Sequence, residues 1–174
     1  MQISQTSEQI RALSALQEKC EIQTVTLLSG TMSRAKDGST FNPPFLAKPV
    51  ITNVSALRLD STVVAEISFE YSAWDSSQPA ERLFTVNCTF AVSYALLGGY
   101  VPSQDEITSF GRGTAVFNCW PYAREFLRDI TARMGHQTPA LPLLRIVPRG
   151  PDMPSGKKTI DAAADPDLLE SEPD

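Results

Sequence analysis

The side chains able to do chemistry are few and far apart. His136 is the only histidine, and it follows Gly135 at the end of an apolar run, so no histidine pair and no histidine-based metal cluster can be assembled. A Ser-His-Asp arrangement would have this one base, and a surface position suits it better. Cys20, Cys88 and Cys119 form no CxxC pair; they read as reduced, structural thiols rather than a disulfide framework or a zinc knuckle. Glu66 and Glu70 share a strand face, where paired carboxylates are ordinarily solvated. SFGRGT, residues 109 to 114, invites comparison with a phosphate-binding loop, but it lacks the GxxxxGK[ST] spacing and does not directly follow a strand. Turn chemistry accounts for its glycines. The sequence therefore assigns no catalytic, metal-binding or cofactor-binding residues.

Composition bounds the rest. With 174 residues, 42% of them hydrophobic and 20% charged, the chain suits one domain with a buried core. No apolar run approaches a membrane span, and MQISQTSEQIRALSALQEK lacks the basic and apolar regions of a secretory signal, which together predict a cytoplasmic protein without membrane insertion. The net charge is -5, but the segment from Asp161 to Asp174 holds six acids and no base. The body is therefore close to neutral and carries no basic stripe of the kind that binds nucleic acid. Residues 150–174, rich in proline and acid and without apolar periodicity, are expected to form a disordered acidic tail behind a domain of residues 1–149.

The sheet is written in two alternations. Val63, Ala65, Ile67, Phe69 and Tyr71 alternate with Glu66, Ser68, Glu70 and Ser72, which predicts a strand with one wet face. Phe84, Val86, Cys88, Phe90, Val92 and Tyr94 do the same in the other parity, and the polar stretch 75–81 between them suits a hairpin. VITNVSALRL, residues 50 to 59, reaches the first strand through Asp60-Ser61, again a hairpin signal, and EIQTVTLLS, residues 21 to 29, makes a fourth, less regular strand. An antiparallel sheet over about 20–96 with one face to cover follows.

Its cover must be helical. A short helix over about 6–19 is expected, with Ser7 as cap and Ile10, Leu13 and Leu16 at helical spacing. A longer one over about 104–134 carries Ile107, Phe110, Phe117, Trp120, Leu127, Ile130 and Met134, with Asp105 and Glu106 in its first turn and Gly135 at its end. Gly111 and Gly113 each cost such a helix about 1 kcal/mol and the interior Pro121 about 3 kcal/mol. The long helix is therefore expected to be kinked or broken.

Apolar side chains also occur outside the regular elements. STFNPPFLAKP (39 to 49) offers Phe41, Phe45 and Leu46, and TPALPLLRI (138 to 146) offers Leu141, Leu143 and Leu144, each among prolines that favour extended chain. They read equally as lids on the core or as walls of a groove for an extended polypeptide.

WPYARE, Trp120 to Glu125, resembles the Phe-Pro-Tyr-Ala-Arg-Glu signature on the long helix of SecB-family export chaperones, with Trp120 in place of phenylalanine. PALPL (139 to 143) and CEIQTV (20 to 25) are similar to the family's segment after that helix and to the start of its first strand. The resemblance spans about residues 20–147. It implies an α+β fold of four antiparallel strands and a long helix that holds its proline at the oligomer interface of a tetramer, a dimer of dimers. It further implies an ATP-independent holdase that keeps unfolded polypeptides in apolar grooves, with no cofactor. Carried over by position, Phe41, Phe45, Leu46, Leu141, Leu143 and Leu144 would line the groove, with Trp120 and Tyr122 shared between groove, interface and core.

Export members also dock the motor SecA through an acidic sheet face, for which Glu66 and Glu70 are the positional candidates. Prolines 148, 151 and 154 interrupt the segment where export members carry a second helix, and the N-terminal helix is an addition. These departures are similar to the branch associated with toxin-antitoxin systems, in which the client is an antitoxin. Clients are thus preproteins or an antitoxin. Two other classes remain open at the level of sequence: a small-ligand-binding or enzymatic domain using a cavity between sheet and helix, and a purely structural oligomer that buries its apolar loops between subunits.

Overall fold

Two strands with opposite parity of alternation seal one sheet face when they pair in the matching register, and here they do so antiparallel. In the computed structural model, which describes residues 1–34, 45–75, 82–135 and 140–148, β4 (Thr62–Asp75) pairs with β5 (Arg82–Leu96) so that Ile67 faces Phe90 and Phe69 faces Cys88. Val63, Ala65, Ile67, Phe69, Val86 and Val92 are buried on the shared face. Glu66, Ser68, Asn87 and Thr89 lie on the other, where hydroxyls bond across strands: Ser68 to Thr89 at 2.9 Å and Ser72 to Thr85 at 3.2 Å.

β3 (Phe45–Leu59) returns to β4 through a tight turn in which Asp60 takes a positive φ of 52°, a conformation that aspartate tolerates better than most residues. β2 (Cys20–Arg34) pairs with β5, giving the antiparallel order β2-β5-β4-β3 with β2 and β3 at opposite edges. Both edge strands run further than their alternation predicts, β2 to Arg34 and β3 from Phe45 through Pro49. An edge strand pairs on one side only, so it accommodates a proline and a broken polar pattern.

The first helix, α1 (Ser7–Gln17), begins at the residue expected to cap it. Thr6, not Ser7, is the N-cap: its hydroxyl accepts from the Gln9 N–H at 3.2 Å and its own N–H donates to Gln9 Oε1 at 2.9 Å. Leu13 and Leu16 are buried. The long helix is an α-π-α run of α2 (Gln104–Phe110), a π turn (Gly111–Ala115) and α3 (Val116–Arg133), and Gly135 ends it at φ 75°.

Of the two expected forms, kinked or broken, the break is absent: the helix runs on through SFGRGT and Pro121. Gly111 and Gly113 are needed for closeness rather than for a turn: a Cβ on Gly111 would lie 2.8 Å from the Ala56 Cβ of β3, and one on Gly113 2.8 Å from Gln5 Nε2. The π turn adds a residue to the ladder and re-phases the buried face. Phe110, Ala115, Cys119, Ala123, Leu127 and Thr131, all nearly or fully buried, step by five once and by four thereafter. Phe117, in phase with Phe110 in an uninterrupted α-helix, falls off this line and is 51% exposed. Pro121 lies inside α3 on an exposed position, and having no N–H it leaves the Phe117 carbonyl without its helical partner.

One element has no counterpart in the sequence reading. β6 (Arg145–Pro148) pairs in parallel with β1 (Gln2–Gln5), joining the two ends of the described chain in a separate two-stranded sheet.

Candidate functional site

The segment that follows the long helix is held by Trp120 and Leu144. Trp120 is 3% exposed, its ring centroid lies 5.6 Å from that of Phe69, and its Nε1–H donates to the Pro142 carbonyl at 3.1 Å. Leu144 is buried in the same core, and Leu141 is half-buried against it. Leu143 is 67% exposed. A chain rich in proline alternates less regularly than a strand, yet here it places one leucine out between its tethers. Tyr122, two positions from Trp120 and so on the other side of α3, is half exposed.

The remaining sequence candidates are placed as follows. Phe45 and Leu46 open β3, opposite Asp75 and Trp74. Phe41, His136 and the tail expected over 150–174 lie outside the described residues. Glu66 and Glu70 share the outer sheet face, Glu66 exposed and Glu70 half-buried, the latter accepting from the Ser72 hydroxyl at 3.0 Å.

Sequence reasoning missed the exposed apolar side chains of β2. Ile22 and Leu27 face the same side of the sheet as Tyr94 and Phe90, yet they stand 46% and 43% exposed. Helix α3 crosses the sheet near this edge: Ile22 and Phe117 line a common cavity of about 370 Å³, and the Phe126 ring sits over Gly30, where a Cβ would come within 2.5 Å of it. The alternation of β2 carried the signal, but a strand at an edge and one in the middle read alike. A second cavity of about 510 Å³ lies between Ile3, Ser4 and Gln5 on β1 and Thr52 and Asn53 at the bulge of β3, with Arg112 on its wall.

Electrostatics give these surfaces no reactive group. Burial pushes the Cys20 thiol up to about 11 and those of Cys88 and Cys119 up to about 12, so at neutral pH they are protonated and poor nucleophiles. Tyr94 is likewise raised by burial, and its hydroxyl accepts from Asn118 Nδ2 at 2.9 Å in the wall of the smaller cavity. The polar constellation around Glu106 is structural. Glu106 caps α2, accepting from the Ser103 N–H at 2.7 Å and from the Tyr100 hydroxyl. These bonds hold its carboxyl below the usual range, while Tyr100 is raised. Among the described residues no group of three His, Cys, Asp or Glu side chains could hold a metal ion, and no helix is long and apolar enough to cross a membrane.

Comparison with known proteins gives a consistent picture of the fold. No protein-family model and no curated protein matches the chain. Among solved structures, it is similar to the SecB-like chaperone Rv1957 of Mycobacterium tuberculosis, in complex with a ChAD peptide from the Rv1956 HigA1 antitoxin: the TM-score is 0.69 at 19% identity, covering 79% of this chain and 98% of that one. A protein of unknown function from Streptococcus agalactiae aligns at a TM-score of 0.42 and 7% identity over 72% of this chain and 98% of its own, too loosely to bear on the argument. The four-stranded antiparallel sheet, the long helix across it and the short N-terminal helix are thus those of a SecB-like fold.

Proposed function

We propose that the protein is an ATP-independent holdase that binds non-native polypeptide, and that its client is a dedicated one of the antitoxin kind. The observation that carries this reading is the shared fold with a SecB-like chaperone whose structure contains an antitoxin peptide. Exposed apolar side chains on elements of that fold support it, Leu143 between its two tethers above all. Many shallow apolar contacts suit a chain without fixed structure, because each lost side chain costs about 1–3 kcal/mol and none is indispensable.

The same reading assigns Phe41, Phe45, Leu46, Leu141 and Leu143 to the groove and leaves Trp120 and Leu144 to position it. It makes the protein an oligomer through β2 and α3, a dimer of dimers by the resemblance, working in the cytoplasm. The export variant, with SecA docked on Glu66 and Glu70, is less well supported, since these carboxylates stand among serines, threonines and asparagines rather than in an acidic cluster.

The test is binding of a fluorescent, permanently unfolded polypeptide without nucleotide, to the parent and to Leu143→Ala. The parent should bind, and the variant should bind about 5- to 150-fold more weakly, corresponding to 1–3 kcal/mol, with an unchanged thermal midpoint because the side chain is mostly in water. Equal affinity would remove Leu143 from the groove. No binding to the parent by any of several unfolded chains would contradict the holdase reading.

A further inference from the structure

Segment 140–148 is the wall of the expected groove that no strand of the main sheet holds. Its strand β6 has its hydrogen-bonding partner in β1, with Ile3 opposite Ile146 and Gln5 opposite Pro148. The Arg145 N–H donates to the Met1 carbonyl at 3.1 Å. Along a parallel ladder alternate residues direct their backbone groups to the same neighbour, so Met1, Ile3 and Gln5 face β6, and Arg145 and Val147 face β1.

β1 is itself fixed to the body of the domain by side chains. Ile3 packs against the main core. Gln5 is 3% exposed; its amide lies against Gly113 of the π turn, and Nε2–H donates to the Ser109 carbonyl at 3.4 Å. One residue later the Thr6 cap starts α1, whose Leu13 and Leu16 are buried. β6 has less: Leu144 just before it, and the bond from Trp120 to Pro142. Support therefore runs from β1 to β6. The small sheet also bounds both cavities, Ile3 to Gln5 walling the one of about 510 Å³ and Ile146 the one of about 370 Å³.

We propose that β1 is a positioning element for client binding, which by pairing with β6 fixes where Leu141 and Leu143 stand beside α3. A four-residue strand without a partner does not persist in water, so without β1 the segment would be left to its two tethers. The proposal rests on the holdase reading and adds to it a role for the first five residues.

The experiment uses the full chain with Ile3→Pro, which removes an N–H that faces β6. A companion keeps that change and adds Gln2→Cys and Arg145→Cys, facing positions within disulfide reach, closed by oxidation. Dissociation of a fluorescent, permanently unfolded polypeptide is followed together with hydrogen exchange at the Arg145 and Val147 amides. Ile3→Pro should speed both at least tenfold with the oligomer mass unchanged, and the cross-link should restore the parent's dissociation rate. If Ile3→Pro does not fold, Val147→Pro breaks the same ladder from β6, leaves the core contacts of β1 intact and carries the same expectation, with exchange followed at the Arg145 amide alone. Dissociation at the parent's rate while those amides exchange freely would overturn the proposal, as would a cross-linked protein that still releases its client fast. A parent that takes up no unfolded chain would refute the holdase reading itself, a distinct result.

Discussion

Trp120 and Leu143 are both large, apolar and close in the fold, yet one is closed off and the other stands in water. The difference lies in the tether: an indole N–H needs an acceptor when buried, and the Pro142 carbonyl supplies it. Trp120→Phe keeps most of the ring's packing and loses that bond, so the domain should be about 1 kcal/mol less stable in chemical denaturation; an unchanged midpoint would show that the bond is replaced by water. Glu106 makes a second residue-scale case. Its carboxyl is held low by Tyr100 and Ser103, so its contribution is complete above the ordinary glutamate value of about 4.3 and is lost as the pH falls through the lower folded value. The gap in thermal midpoint between parent and Glu106→Gln should stay constant from about pH 8 to 5 and close below about pH 4. A gap that stays constant down to pH 3 would contradict this account.

At the scale of elements, the π turn is where local preference and packing pull apart. By helix propensity Gly111→Ala should stabilise by about 1 kcal/mol. By packing it should destabilise by about 1–3 kcal/mol, since its Cβ would sit 2.8 Å from that of Ala56. The neighbour is a short side chain on a paired strand and cannot swing aside, so packing should prevail, and urea denaturation giving a more stable variant would refute this. The same residue shows what a sequence can and cannot say. The alternations from Val63 to Tyr71 and Phe84 to Tyr94 are local and repeat, so the sheet was legible. A glycine needed for close approach looks the same in sequence as one needed for a turn, so the π turn was not. β1 and β6 are four residues each and lie at the two ends of the described chain, too short and too distant for any local pattern to announce their pairing. In the candidate site, the leucines after the helix were legible as a set, but their division into tethers and exposed contacts depends on Trp120 and on β1.

For the whole molecule, β2 is the unfinished part. It is a long edge strand with Ile22, Leu27 and Leu28 exposed, its charged residues Glu21 and Arg34 standing only near its two ends and not along the middle, where they would keep such an edge from pairing, and Phe117 of α3 stands near Ile22. The proposed oligomer would cover it with a second copy. Ile22→Lys with Leu27→Lys should leave a folded protein of smaller oligomeric mass in light scattering, because both side chains are already near half exposed; retention of the parent's mass would place the interface elsewhere. The most direct test of the central claim is native mass spectrometry of the full chain, alone and with a permanently unfolded polypeptide, in the absence of nucleotide. The account predicts an oligomer, a tetramer by the resemblance, that gains the mass of the bound chain. An oligomer that gains no mass from any unfolded chain, a cognate antitoxin included, would contradict it.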